Sequence, residues 1–185
     1  MAEPLDTADT GRRDAVLESA LLTFARHGYR RTSMDEVARA ARISRPGLYF
    51  LFSSKQDLFR AAVTRALDQD LAAAETALAD TARPVRERLV EAFDRWAGRY
   101  VGPMSRDVPS VIEENPDLLG PIVHTAPERF EELVVAALGG AALGGAAADD
   151  VAQTLLSVSI GVKHQVATRE EYLSRMTTAV ALLVP

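Results

Sequence analysis

Three helix starts follow one another near the front of this 185-residue chain. Ser33 begins the capping-box pattern Ser-x-x-Glu, in which two side chains satisfy each other's unpaired backbone donors. Ser44 can cap a second helix, and Pro46 is tolerated there because first-turn N–H groups have no helical partner. Ser53 precedes Gln56 by three residues, which is again capping-box spacing. The helices that begin at Ser33 and Ser44 must therefore be short, which is the arrangement of a helix-turn-helix.

The whole sequence favours an all-α fold, because alanine is abundant and period-two runs of β-branched residues are scarce. Five prolines between residues 103 and 127 predict short or kinked helices in that segment. About nine helices result: a three-helix N-terminal domain, a long linking helix and a C-terminal helical domain. The more regular predicted helices cover residues 12–27, 34–41, 44–51, 53–79, 85–102, 128–138, 149–167 and 170–183.

Charge divides the chain into three parts. Residues 1–10 carry three acidic and no basic side chains, which predicts a flexible acidic tail. Residues 11–65 carry eleven basic and five acidic side chains, whereas residues 66–185 carry ten and eighteen. A basic module in front of an acidic body suggests that the front part meets a polyanion.

Several classes of protein conflict with this composition. The absence of cysteine excludes disulfides, thiolate zinc sites and cysteine nucleophiles, and favours a reducing cytoplasm. The sequence has no apolar run of about 20 residues and no basic, apolar start, so we expect neither a membrane anchor nor a secretory signal. No histidine pair has metal-binding spacing and no catalytic set is visible, so we expect no metal, no cofactor and no enzyme. A helical enzyme or carrier is the most remote alternative.

A helix-turn-helix presents the start of its second helix to base edges in the major groove, which is wide enough for one helix. Arg45 can donate to both guanine O6 and N7, and Tyr49 can reach a phosphate or a thymine methyl. Lys55 stands at a helix N-terminus, which itself attracts phosphate. These residue types predict one surface that contacts double-stranded DNA.

The front of the chain resembles the tetracycline-repressor (TetR) family of bacterial transcription regulators. The residues that carry the resemblance are ALLTFARHGY at 20–29, TSMDEVA at 32–38 and SRPGLYFLFSSK at 44–55. It covers about residues 11–65, a DNA-binding domain, and leaves 66–185 for effector binding and dimerisation. The resemblance implies that Leu48 and Phe52 are core residues. It also implies that DNA is contacted by Arg45, Pro46, Gly47, Tyr49 and Phe50, and that phosphates are held by Thr32, Ser33, Ser44 and Lys55.

One residue departs from the family pattern. The family commonly has glycine in the turn between helices two and three, where this chain has Arg42. Arg42 must adopt the backbone conformation of that glycine, and a left-handed conformation is costly for any residue with a Cβ. A phosphate contact from its guanidinium is the hypothesis for what the chain gains.

The resemblance predicts a ligand-responsive repressor that binds a palindromic operator as a homodimer and is released by a small apolar or aromatic effector. A constitutive regulator without an effector is the alternative. The aromatic stripe of helix five and its neighbours is either plain core or the lining of an effector pocket. The candidate pocket residues are Phe93, Trp96, Tyr100, Met104, His124 and Phe130. The apolar positions of the last two helices are expected to form a four-helix dimer interface, through Val151, Leu155, Val158, Val162, Tyr172 and Met176.

Overall fold

A computed structural model describes residues 5–102 and 118–185 of the chain. Within these ranges the secondary structure is entirely helical, which confirms the predicted fold class. A 3₁₀ turn, Gly98–Tyr100, follows the fifth helix. The α-helices are α1 (Leu5–His27), α2 (Met34–Ala40), α3 (Arg45–Leu51), α4 (Lys55–Ala79), α5 (Val85–Trp96), α6 (Ile122–Leu138), α7 (Ala148–Gln165) and α8 (Arg169–Leu183).

Three helix boundaries differ from the predicted ones. Helix α1 begins seven residues early, at Leu5. Helix α5 ends at Trp96 rather than at residue 102. Helix α6 begins at Ile122 rather than at 128 and contains Pro127, whose missing N–H removes one helical hydrogen bond.

The early end of α5 accompanies a close packing contact at Gly98. A Cβ at this position would lie 2.5 Å from Asp94 Oδ1 and 3.0 Å from Tyr172 Cδ1. Because real Cβ atoms do not approach other atoms that closely, only glycine lets Tyr172 pack against the turn. Tyr172 is fully buried, and its hydroxyl lies 2.7 Å from Ser159 Oγ.

The chain divides into two compact units. The described part of the front unit comprises residues 5–66 and 118–120. Its core contains the edge-to-face pair Phe24 and Phe59, whose ring centroids are 5.0 Å apart. Arg60 Nε donates to the carbonyl of Leu118 at 3.1 Å, which joins the two stretches of this unit.

The described part of the second unit comprises residues 67–102 and 121–185. Helices α5 to α8 enclose one apolar core, in which Phe93 and Phe130 meet edge to face at 5.2 Å. Arg169 Nη2 pairs with Asp94 Oδ2 at 2.5 Å and links α8 to α5. Helix α4 runs without interruption past the division between Ala66 and Leu67, so it belongs to both units. No helix in the described ranges has the length and apolar character needed to cross a membrane.

Candidate nucleic-acid interface

Helix α2 starts with the predicted capping box. The Ser33 backbone N–H donates to Glu36 Oε2 at 2.7 Å, and the Glu36 N–H donates to Ser33 Oγ at 3.3 Å. Hydrogen bonds from the Ser33 backbone and hydroxyl lower the pKa of Glu36 below its ordinary value. Ser33 is exposed, and its hydroxyl is engaged as the helix cap rather than free for a phosphate.

The turn between α2 and α3 is closed by Arg42 in a left-handed conformation. Its φ angle is 54°, and it is the only residue other than glycine with a positive φ in the described ranges. The following N–H, of Ile43, donates to the Ala38 carbonyl at 3.0 Å, which completes the end of α2. The expectation that Arg42 takes the backbone conformation of a glycine is therefore confirmed. Its side chain is exposed.

Replacing Arg42 by glycine is expected to stabilise the front unit. A residue with a Cβ is less stable in this conformation by roughly 1–2 kcal/mol, and the greater flexibility of unfolded glycine offsets part of that gain. We expect a net gain of about 0.5–1 kcal/mol in the free energy of unfolding, measured by denaturant titration. Arg42→Ala keeps the Cβ and is the matched control. An equal gain from Arg42→Ala would show that the side chain, not the φ angle, is responsible.

Helix α3 is anchored on one side and open to solvent on the other. Leu48 and Phe52 are buried, at 0% and 1% exposure, so their assignment to the core is confirmed. Tyr49 and Phe50 are exposed large side chains, with Phe50 at 88%. Arg45 and Pro46 are exposed at the start of the same helix. The short helix therefore presents its N-terminal residues and an aromatic pair to whatever approaches it.

The N-cap of α3 explains the glycine in this segment. Ser44 Oγ accepts from the Gly47 N–H at 3.1 Å. A Cβ on Gly47 would lie 3.0 Å from that same hydroxyl oxygen, which is tighter than almost all real contacts. Gly47 is half-buried. Its observed role is thus to permit the cap, and its expected contact with DNA stays a prediction.

Arg45, the residue expected to read a base, has partners on both short helices. Its Nη1 donates to Asp35 Oδ2 at 3.2 Å, and its Nε lies 3.2 Å from Asp35 Oδ1. Its guanidinium carbon lies 5.7 Å from the centre of the Tyr49 ring. Sequence reasoning did not single out Asp35.

Lys55 is bound to backbone carbonyls of its own unit. Its Nζ donates to the carbonyls of Tyr29 at 3.0 Å and Thr32 at 3.2 Å, with the Arg30 carbonyl at 3.5 Å. The ammonium also lies 4.5 Å from the centre of the Tyr29 ring. These contacts engage all three of its N–H bonds. Lys55 therefore fastens the start of α4 to the loop after α1, and its expected contact with a phosphate stays a prediction.

The cap of α4 also differs by one residue from the predicted one. Ser54 Oγ, not Ser53, accepts from the backbone N–H at the third helical position, which belongs to Asp57, at 3.0 Å. Asp57 in turn accepts from the Ser53 N–H at 3.0 Å. Both serines precede the helix, and spacing alone did not distinguish them.

Thr32, another residue expected to hold a phosphate, is buried at the start of α2. It is 1% exposed, and its hydroxyl donates to the Gly28 carbonyl at 2.8 Å. Burial removes that hydroxyl from any polynucleotide that approaches the surface. The sequence could not distinguish Thr32 from the exposed Ser33 beside it, since both hydroxyls precede α2.

Comparison with known proteins agrees with this geometry. Residues 16–62 match the sequence profile of the bacterial regulatory proteins of the tetR family. The match lies in α1, α2, α3 and the start of α4, the part of the chain that carries the helix-turn-helix. It is 34% identical over 98 residues to the HTH-type transcriptional repressor ComR of Escherichia coli (strain K12), a match that covers 53% of this chain and 45% of ComR. It is 40% identical over 85 residues to the HTH-type transcriptional activator FasR of Mycolicibacterium smegmatis, covering 44% and 38%. The matched segment thus spans less than half of either curated relative.

Solved structures show that the TetR fold extends over nearly the whole chain. A transcriptional regulator of the TetR family from Agrobacterium tumefaciens superposes with a TM-score of 0.75 at 16% identity, covering 95% of this chain and 99% of that one. A TetR regulator from Legionella pneumophila gives 0.74 at 17% identity, covering 92% and 96%. At such identities the likeness establishes the fold alone.

The aromatic residues expected to line an effector pocket mostly fill the core of the second unit. Phe93 and Phe130 are 0% exposed, and Trp96 stacks on Phe130 with ring centroids 4.9 Å apart. For these three residues, the alternative of a plain core stripe is the one the structure supports. The Tyr100 hydroxyl donates to buried Asp70, and burial raises the pKa of both groups. His124 is exposed, and Met104 lies outside the described residues.

A groove of about 540 Å³ lies between α5 and α8, and none of the predicted pocket residues that the structure describes lines it. Val90, Leu173 and Val180 contribute apolar surface to it. Its lining has three arginines and three carboxylates, and most of them are paired: Glu91 binds two arginines, and Asp94 binds Arg169. The groove therefore indicates no particular ligand charge. In the described ranges no cluster of three or more histidine or acidic residues could hold a metal ion.

The residues predicted for the dimer interface face the core of their own unit. All but one are buried in the core of their own unit, and Val158 is half-buried against the same core. The predicted set was Val151, Leu155, Val158, Val162, Tyr172 and Met176. The apolar stripe of each helix faces inward because a single protomer needs it to cover Phe93 and Phe130. The large apolar residues on the outer faces are Ile160 on α7, 62% exposed, and Leu182 on α8, 78% exposed.

Proposed function

We propose that the chain is a sequence-specific DNA-binding transcriptional regulator of the repressor type. The observation that carries the proposal is the exposed face of α3, where Arg45, Tyr49 and Phe50 stand outward while Leu48 and Phe52 anchor the helix. A helix held in this way can enter the major groove as a rigid body. Arginine suits guanine, and an exposed phenylalanine suits the methyl group of thymine.

The proposal is tested by selecting preferred duplexes from a random pool and measuring affinities by fluorescence anisotropy at two salt concentrations. Binding should weaken steeply with salt, because basic side chains displace counterions from the phosphates. Arg45→Ala should reduce affinity for the selected duplex about 5- to 150-fold and remove the preference at one base pair.

Arg95→Ala is the matched control, since Arg95 is an exposed arginine of α5 in the second unit. It should leave sequence preference unchanged. Selection of no sequence by the unmodified protein, or equal losses for Arg45→Ala on selected and random duplexes, would contradict the proposed role of α3.

We propose further that the regulator acts as a homodimer. One short helix reads too few base pairs for specificity, whereas two copies related by a two-fold axis read a palindrome with half-sites about 34 Å apart. Exposed Ile160 and Leu182 support an interface on the outer faces of α7 and α8. Ser157 and Thr178, each one helical turn from these residues, are exposed and uncharged, so pairing there would bury few charges.

A response to a small molecule is the third part of the proposal, and the continuity of α4 supports it. The helix begins at Lys55, which is fastened to the loop after α1, and ends at Ala79 in the second unit. An effector that favours one tilt of α4 by about 1–3 kcal/mol would change DNA affinity 5- to 150-fold. Thermal shift against a metabolite panel, followed by release of the selected duplex, tests this. If small molecules bind but do not release the duplex, the result would favour the alternative of a constitutive regulator without an effector.

A further inference from the structure

The guanidinium of Arg45 is held on the protein surface by a carboxylate from the neighbouring helix. Arg45 Nη1 donates to Asp35 Oδ2 at 3.2 Å, and Nε lies 3.2 Å from Oδ1. The two side chains are 61% and 52% exposed. An ion pair as exposed as this one contributes little to folding stability. Its position, beside Tyr49 and on the face proposed to meet DNA, suggests that its effect is on recognition.

Because Asp35 already holds Arg45, the arginine side chain loses less conformational entropy when it contacts a base. A free arginine side chain samples many rotamers and loses that freedom when it contacts a base. Asp35 accepts only one of the five guanidinium N–H bonds, and the Tyr49 ring lies 5.7 Å from the guanidinium carbon. Two of the N–H bonds not used by Asp35 can donate to O6 and N7 of a guanine, the commonest specific arginine contact.

The Asp35 carboxylate also disfavours contacts between Arg45 and DNA groups other than guanine. Phosphate groups repel it, and in the major groove it can accept only from the amino groups of cytosine or adenine. If Arg45 left Asp35 to reach a phosphate, the carboxylate would be brought near DNA without its partner. Guanine is the base that offers two acceptors, O6 and N7, to the N–H bonds that Arg45 has left while it keeps the Asp35 contact. Asp35 therefore discriminates against the alternatives as well as orienting the arginine.

We propose that Asp35 is the positioning residue that makes Arg45 selective for guanine, so that each operator half-site contains a G·C pair where Arg45 reads. This inference rests on the proposed function of α3. It assigns to Asp35 a role separate from that of Glu36, which belongs to the capping box of the same helix.

The test uses the full chain and the duplex selected by the unmodified protein. Affinity is measured for that duplex, for each single base-pair change within a half-site, and for random duplex. Arg45→Ala first identifies the base pair that Arg45 reads. Asp35→Asn should then lower the preference for guanine at that pair roughly three- to tenfold, and leave the other positions unchanged. Asp35→Asn should have no further effect on discrimination in the Arg45→Ala background.

Glu18→Gln is the matched control, because Glu18 is an exposed acidic residue of α1 in the same unit. Both Asp35→Asn and Glu18→Gln should strengthen binding to random duplex, since each removes one negative charge. Only Asp35→Asn should change discrimination, and Asp35→Ala should reproduce that change. Thermal melting separates these effects from a loss of folding.

Three results would overturn the inference: an unchanged guanine preference in Asp35→Asn, an equal loss of preference at every position, or an effect that persists without Arg45. All three leave the proposed function standing, because they require a selective unmodified protein. An unmodified protein that selects no duplex contradicts the proposed function itself.

Discussion

Lys55→Met is expected to destabilise the front unit by about 2 kcal/mol and to leave the salt dependence of DNA binding by the folded protein unchanged. The ammonium donates to backbone carbonyls of the loop after α1, at 3.0 Å from Tyr29 and 3.2 Å from Thr32. Methionine matches the length of the lysine chain but donates no hydrogen bond. The carbonyls then lose a charged partner at a partly buried site.

The only tryptophan, Trp96, lies in the second unit, so its fluorescence does not report on the front unit. Hydrogen exchange measures the effect in the front unit instead. Amides of α2 and of the first turns of α4 should exchange faster in Lys55→Met. Arg26→Met, which removes an exposed cation from α1, is the control and should change exchange little. Unchanged exchange, together with a slope of log affinity against log salt reduced by about one, would instead identify Lys55 as a phosphate ligand.

The double variant Ile160→Glu, Leu182→Glu is expected to be a monomer with operator affinity lowered by about a hundredfold or more. In the proposed dimer each glutamate would be buried against its symmetry mate without a partner, which is strongly unfavourable. A monomer contacts one half-site at a time, so it loses the gain from linking two reading helices. Helix content should stay unchanged, because both positions are exposed in the protomer.

Sedimentation velocity measures the mass, and anisotropy measures the affinity. Ala136→Glu places one new charge on an exposed position of α6 and should stay dimeric. A double variant that sediments as a dimer would remove the outer faces of α7 and α8 from the interface. Loss of helix content would indicate that the two side chains support the protomer itself.

Local signals made most of the fold predictable. The capping box at Ser33, the cap at Ser44 and the left-handed turn at Arg42 depend on residues within a few positions of one another. The buried anchors Leu48 and Phe52 follow the helical period, and so does the exposure of Tyr49. Here the sequence contains all the information that the geometry needs, because the interacting groups are neighbours in the chain.

Contacts between residues far apart in the chain could not be predicted in this way. Lys55 meets carbonyls more than twenty residues earlier, and no spacing rule distinguishes that ammonium from one that faces solvent. Thr32 and Ser33 are adjacent hydroxyls, and only the packing of α1 decides that Thr32 is buried. Helical periodicity located the apolar stripes of α7 and α8 correctly but could not say whether a stripe covers its own core or a second copy. Exposed Ile160 and Leu182 interrupt polar faces as single residues and gave no periodic signal.

The exposed face of α3 is the central element of the proposed function, and one measurement addresses it directly. Backbone amide chemical shifts of the full chain are recorded with and without the selected duplex. We predict that the largest changes fall within residues 42–50, with smaller ones at the start of α2. A duplex that binds while the amides of α3 stay unchanged would contradict the proposed role of this helix.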